Sequence, residues 1–262
     1  MTATGSVNDM SESPSRLIVV TGSASGIGAA TARLAAQDAR VIGVDRHDAD
    51  VCVDLSTPDG RTGMVEEVRS LSDGAVDAVI ACAGVASDAA VAVNYFGMVA
   101  TLIGLRSLLI GSAAPRAAGV ASLASIHPVD QETVDACLRG DEASAQALSL
   151  QSGSAYASSK AAFSRWVRRA APSAEWAGAG IPLNCVSPGT VVTPLTAPML
   201  ADRDQAAYID SVVPMPLNGH AQPEAVASLL LWLVSTDNSH VTGQNIFIDG
   251  GADAVLRGDT TW

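Results

Sequence analysis

Short apolar runs alternate with helical stretches along almost all of this 262-residue chain, and that alternation is the strongest constraint on its fold. RLIVVTG, ARVIGVD, VDAVIACAG, AGVASLAS, IPLNCVSPG and QNIFIDGG are rich in Val and Ile and close on Gly, Asp or Ser. Runs of that kind read as strands buried on both faces. Between them, Ala-rich amphipathic patterns predict helices over 27–37, 58–71, 92–110, 155–171 and 222–235. With the shorter run VCVDLS counted, the alternation predicts an α/β fold: a single-domain, doubly wound parallel sheet of about seven strands, helices on both faces.

The domain is expected over 16–262, after a polar tail at 1–15 expected to be disordered. That tail has no apolar run and is neither signal peptide nor membrane helix. Two segments break the rhythm, an acidic excursion at 127–154 and a Pro-punctuated loop at 194–220. Long connections of this type serve as lids or binding loops.

Composition narrows the function. A net charge of −12 argues against a nucleic-acid partner or an anionic membrane surface. Aromatic residues at 4% do not make a base-stacking platform. No stretch supplies the uninterrupted ~20 apolar residues of a membrane span. Cys52, Cys82, Cys137 and Cys185 are far apart with no CxxC pair. They read as buried free thiols in a reducing cytoplasm, with no metal site.

The first strand runs into TGSASGIG, Thr21 to Gly28, and then into a helix. Gly22 can leave the strand with positive φ, Gly26 lets a pyrophosphate approach the backbone, and Gly28 permits close helix–strand packing. Ser25 and Ile27 complete the turn, and the helix start offers free N–H groups to phosphate. The second strand ends in Asp45, a carboxylate suited to both ribose hydroxyls and repulsive to a 2′-phosphate. That favours NAD over NADP, although Arg46 follows and could bind such a phosphate. Asp54 either reaches the adenine amino group, beside Leu55, or simply caps a turn.

SAYASSKAAF, residues 154–163, holds Lys160, the only lysine among 15 basic residues. Lysine is a compact ammonium on a thin stem, whereas arginine is a broad planar fork. Tyr156 lies four residues earlier, on the same helix face.

TGxxxGIG at 21–28, ACAG at 81–84, VNYFG at 93–97, a strand ending in serines, YxxSK at 156–160 and SPGTVVTP at 187–194 follow one another along the chain. In that order they resemble the short-chain dehydrogenase/reductase family, with its Rossmann fold, over about residues 16–251. The wording CAG for the usual Asn-Ala-Gly, the excursion before the tyrosine and DGG followed by DAVLR are similar to the bacterial 3α-hydroxysteroid dehydrogenase/carbonyl reductase group.

The resemblance implies roles. Tyr156 is the general acid/base, and Lys160 favours its phenolate and binds the nicotinamide ribose. Asn94 holds a water beside that lysine. Cys82, Ala83 and Gly84 line the adenosine side. Pro188, Gly189, Val191 and Thr193 form the loop that binds the nicotinamide carboxamide, with Thr193 near the phosphates. The catalytic serine lies in GVASLASIH: an ungapped match selects Ser122, and a longer strand would select Ser125. His127 reads as an exposed loop histidine.

The implied function is an NAD(H)-dependent oxidoreductase that interconverts a secondary alcohol and a ketone without metal. The implied substrate is hydrophobic or cyclic: a steroid, a terpenoid or another ring ketone. Met199, Tyr208, Val212, Val213 and Met215 would supply an apolar wall. The alternative is a catalytically inactive dinucleotide-binding regulator of the same fold, which would typically have lost the tyrosine or the lysine. A homodimer or homotetramer is expected. Within 127–154, Val134, Leu138, Ala145 and Leu148 suggest a helical apolar face covering the surface commonly used for pairing. That would shift self-association to the last strand and the C-terminal segment.

Overall fold

A computed structural model describes residues 16–260. The polar tail expected over 1–15 lies outside the described residues. Seven strands form one sheet: β1 (Leu17–Thr21), β2 (Arg40–Asp45), β3 (Val51–Cys52), β4 (Ala78–Ala81), β5 (Arg116–Val120), β6 (Leu183–Pro188) and β7 (Asn245–Ile248). Their order is β3-β2-β1-β4-β5-β6-β7, every neighbouring pair parallel. The chain winds outward from β1 to β3, then returns to β4 and proceeds the other way. Its direction switches between β1 and β4, where a doubly wound sheet opens a crevice at its carboxyl edge.

The first helices are α1 (Gly26–Ala35), α2 (Pro58–Leu71) and α3 (Met98–Leu109), the last preceded by a π-helical turn at Ala92–Gly97. Then follow α4 (Gln131–Arg139), α5 (Glu142–Ser152), α6 (Ala155–Ala170), α7 (Ala197–Ala201), α8 (Arg203–Val212), α9 (Pro223–Val234) and α10 (Ala252–Arg257). The two-residue period of the strands sorts the core into two layers. Val19, Val79, Ala117 and Cys185 face Met64, Leu102, Leu105 and Phe163 of α2, α3 and α6. Val20, Ile80, Ala118 and Val186 face Ala35 of α1 and Val226, Leu230 and Leu233 of α9. The stretch Ala92–Leu109 has the length and hydropathy of a membrane span, but 61% of it is buried inside this core.

Three expectations are corrected here. The run AGVASLAS is a strand only to Val120. Ser122 then caps a 3₁₀ turn over Leu123–Ile126, its Oγ accepting from the Ala124 N–H at 3.2 Å. The single helical apolar face expected within the excursion at 127–154 is divided between two helices. Gly140 ends α4 at φ 78°, and Asp141 caps α5 by accepting from the Ser144 N–H at 3.1 Å. Both helices pack against α6, with Val134 and Ala145 fully buried and Leu138 and Leu148 partly so. Finally, the cysteines are free, but only Cys137 and Cys185 are buried; Cys52 is exposed and Cys82 half-buried.

Candidate active site

The crevice beside β1 and β4 is a cavity of about 400 Å³. Its floor is the glycine turn. Gly22 and Gly26 both take positive φ, and a Cβ on Gly28 would stand 2.0 Å from the Gly22 carbonyl oxygen. A Cβ on Gly22 would press on the Ala83 backbone at 2.9 Å, and one on Gly26 would meet the Thr193 methyl at 3.3 Å. Only glycines allow the three chain segments to converge. Thr21 joins the two strands at the switch point: its Oγ1 accepts from the N–H groups of Cys82 and Ala83, both at 3.1 Å. Ser25, at the start of α1, makes no capping bond with its side chain. The first-turn N–H groups of Gly26, Ile27 and Gly28 therefore remain available at the cavity floor, as an anion such as pyrophosphate requires.

At one end, Asp45 Oδ2 accepts from the Ala24 N–H at 3.0 Å, which holds the carboxylate at the rim of the turn. Asp54 lines the same end and also closes its own turn, its Oδ1 accepting from the Ser56 N–H at 2.8 Å. Hydrogen bonding to Ser56, through its side chain first and then this backbone N–H, lowers the Asp54 pKa below the usual carboxylate value. Leu55 is buried against Gly97 of the π-helical turn.

Ser122, Tyr156 and Lys160 meet at the other end. Lys160 is only 3% exposed and donates from Nζ to the Val120 carbonyl oxygen at 2.7 Å. Burial pushes its pKa down to about 8; the nearby Cys82 and Cys185 act in the opposite sense. Burial pushes both of those thiols up to about 12, so they remain neutral. The Tyr156 phenol is raised by burial and drawn back down by its hydrogen bond with Ser122. Gly84 separates Lys160 from Asn94: a Cβ there would lie 3.4 Å from Nζ and 3.3 Å from Asn94 Oδ1.

Pro188, Gly189, Val191 and Thr193 also line the cavity, together with Cys82, Ala83 and Gly84, with Ala83 and Thr193 against the glycine turn. Among the residues assigned to catalysis and cofactor binding with Ser122 as the serine, Asn94 stands outside the lining. It is fully buried in the π-helical turn and clamps Val85, accepting from its N–H at 2.8 Å and donating to its carbonyl at 2.9 Å. Its remaining Nδ2 hydrogen goes to Ser159 Oγ at 3.3 Å.

Other positions depart further from expectation. Met199, Tyr208, Val212, Val213 and Met215 do not line the cavity; Pro194, Leu195 and Thr196 do. Tyr208 is 68% exposed, and Met215 sits beneath the Gly189 loop, its Sδ accepting from the Thr190 N–H at 3.2 Å. Ser125 is not in the lining, and His127 is half-buried with an unpartnered Nε2 rather than exposed. Arg46, Val53, Ser56 and Val93 flank identified residues, so adjacency along the chain could have found them. Ser87 and Ala89 carry no sequence signal. Among the described residues no group of three or more His, Cys, Asp or Glu side chains converges.

A 3-alpha-hydroxysteroid dehydrogenase/carbonyl reductase of Comamonas testosteroni is 37% identical over 254 residues, 92% of this chain and 98% of that protein. The chain is a short-chain dehydrogenase/reductase. A model described as enoyl-(acyl carrier protein) reductase matches residues 142–253 of this short-chain dehydrogenase/reductase. A cis-4-hydroxycyclohexanecarboxylate dehydrogenase of Sinomonas cyclohexanicum is 32% identical over 263 residues, 92% of this chain and 97% of the relative. The 3-alpha-hydroxysteroid dehydrogenase of Pseudomonas sp. B-0831, crystallised with NADH, superposes with a TM-score of 0.87 at 42% identity. That likeness covers 93% of this chain and 99% of the other. As a member of this family the protein is an oxidoreductase acting on alcohol and ketone groups.

Proposed function

We propose that the protein is an NAD(H)-dependent dehydrogenase/reductase that interconverts a hydrophobic or cyclic secondary alcohol and its ketone. The observation that carries this reading is the layout of the cavity: Asp45 at one end, the glycine turn along the floor, and Ser122, Tyr156 and Lys160 together at the other end. The Asp45 carboxylate suits a free ribose diol, and the relative from Pseudomonas sp. B-0831 holds NADH. The bound nicotinamide, when present, supplies or accepts the hydride.

The chain's own residues handle the oxygen and the proton. Ser122 donates a hydrogen bond to the substrate oxygen and stabilises its developing negative charge. Tyr156 gives that oxygen a proton in reduction and takes it back in oxidation. A buried phenol strongly resists ionisation, so the nearby positive charge of Lys160 is what makes the phenolate accessible. Asn94 acts by clamping Val85 beside that lysine, not by offering its own amide to the cavity. Pro188 to Thr193 hold the nicotinamide half, and Asp54 and Leu55 the adenine half.

The substrate class is supported by the apolar Pro194 and Leu195 in the cavity lining and by two relatives, a 3-alpha-hydroxysteroid dehydrogenase/carbonyl reductase and a cis-4-hydroxycyclohexanecarboxylate dehydrogenase. Buried free thiols at Cys137 and Cys185 suit the cytoplasm. The test is a panel of cyclic and acyclic alcohols and ketones assayed with NAD(H) and NADP(H) by nicotinamide absorbance. Turnover of a ring ketone with NADH is the expected result. A chain that binds NADH but turns over nothing in the panel would instead support the regulator.

A further inference from the structure

We infer that Arg61 and Glu142 form a positioning pair through which the helices at 131–152 hold the adenine end of the cofactor cavity. The inference rests on the dinucleotide reading above. Arg61, on α2, donates from Nε to the Leu55 carbonyl oxygen at 2.8 Å. Its Nη2 donates to the carbonyl oxygens of Ser56 and Ala92, both at 3.0 Å. Leu55 and Ser56 are cavity wall, and Ala92 opens the π-helical turn that carries Asn94. The outer edge of the same guanidinium grips Glu142, the first residue of α5: Nη1 to Oε2 at 2.7 Å and Nη2 to Oε1 at 2.6 Å.

One planar side chain thus joins the adenine wall, the π-helical turn and the first inserted turn of α5. Only 11% of the Arg61 side chain and 25% of that of Glu142 is exposed. A guanidinium reaches three carbonyls and a carboxylate in one plane, Nη2 sharing its two hydrogens among three acceptors; an ammonium with three hydrogens on one atom does not. Glu142 offsets the buried charge and fixes the plane of the fork, helped by Gln146, whose Nε2 donates to Oε1 at 3.3 Å.

The wall needs such a tie. Residues 54–56 lie between β3 and α2 and have no sheet partner after Val53. Gly97 on the π-helical turn lets Leu55 settle in, since a Cβ there would be 3.1 Å from the Leu55 carbonyl oxygen. Arg61 holds Leu55 in that seat, and Glu142 holds Arg61. Adenine affinity therefore depends on a carboxylate that never touches the cofactor.

The experiment uses the intact chain with Glu142→Ala, Glu142→Gln and Arg61→Lys. AMP binding is measured by calorimetry, NADH binding by nicotinamide fluorescence and folding by thermal unfolding. For Glu142→Ala the Kd of AMP and of NADH should each rise roughly threefold to thirtyfold, in a chain that still unfolds cooperatively. Where a ketone is turned over, the KM for NADH should rise by a similar factor with kcat within twofold. Arg61→Lys should behave alike, and the double variant should be no worse than Arg61→Lys alone, because the two residues act as one unit. Should Glu142→Ala fail to fold, the isosteric Glu142→Gln carries the test with a smaller shift in the same direction. Unchanged AMP affinity, or a fall in kcat at constant NADH KM, would overturn the pair's role. An unmodified chain that binds neither AMP nor NADH would instead refute the dinucleotide reading itself.

Discussion

Lys160 Nζ donates to the Val120 carbonyl oxygen at 2.7 Å, tying the ammonium to the last residue of β5 directly beside the cavity. No carboxylate is among the groups that act on it; its titratable neighbours are the thiols of Cys82 and Cys185, which stay neutral. A buried cation held in this way should leave a signature in stability. Its pKa falls from 10.5 unfolded to about 8 folded. Between those values the unfolded chain binds more protons than the folded one, so this group makes stability rise with pH from about 8 towards 10.5. Thermal unfolding of the cofactor-free protein at pH 7, 8, 9 and 10, compared with Lys160→Met, should reveal a rise that the variant lacks. Parallel profiles would mean the lysine is not desolvated.

Tyr156→Phe should bind NADH normally and lose turnover, because only the proton carrier is removed. Lys160→Arg should be severely impaired in both respects. The space around Nζ is bounded by Gly84, whose absent Cβ would lie only 3.4 Å away, and a planar fork is wider than an ammonium. Fluorescence titration and steady-state rates on both variants test this. Near-normal turnover by Lys160→Arg would undo the steric account of the solitary lysine.

Ser122→Ala should lower kcat by roughly 10²-fold or more, the cost of losing one donor to a developing oxyanion. Ser125, outside the cavity lining, should tolerate alanine with only a mild effect. Because Ser122 also caps the turn at Ala124, unfolding temperatures should accompany the rates. The opposite ranking of the two serines would transfer the catalytic assignment.

Asp45→Ala should narrow a preference for NAD(H) over NADP(H), since it removes both the ribose acceptor and the repulsion of a 2′-phosphate. The readout is kcat/KM with each cofactor. Equal values for the unmodified protein would contradict the assignment of NAD.

Self-association is expected through β7 and the C-terminal segment, because α4 and α5 lie over α6. Val255, 58% exposed, and Leu256, 42% exposed, leave an apolar surface there. Light scattering should report an oligomer that Val255→Asp with Leu256→Asp weakens towards monomer. An oligomer that survives this change but dissociates when charges are placed on the outer face of α6 would reverse the expectation.

Much of this site can be read along the chain, because its parts are local. The glycine turn, Asp45 at the end of β2 and the four-residue step from Tyr156 to Lys160 each need only neighbours in sequence to be recognised. The seven-stranded sheet follows from Val- and Ile-rich runs, since strands buried on both faces have little choice of composition. Even so, the break at Gly140 was legible only in hindsight, through a positive φ followed by a capping Asp141.

The tertiary structure decided what depends on reach across the sheet. It turned the Asn94 amide onto Val85, drew Met215 beneath Gly189 instead of into a substrate wall, and set Ser122 in the cavity while leaving Ser125 outside. It also brought Arg61 to Glu142, 81 residues away. The physical reason is common to all four. Backbone periodicity and turn chemistry act over a few residues and are written in sequence, whereas a polar side chain's partner is whichever unsatisfied group the packed fold leaves within ~3 Å.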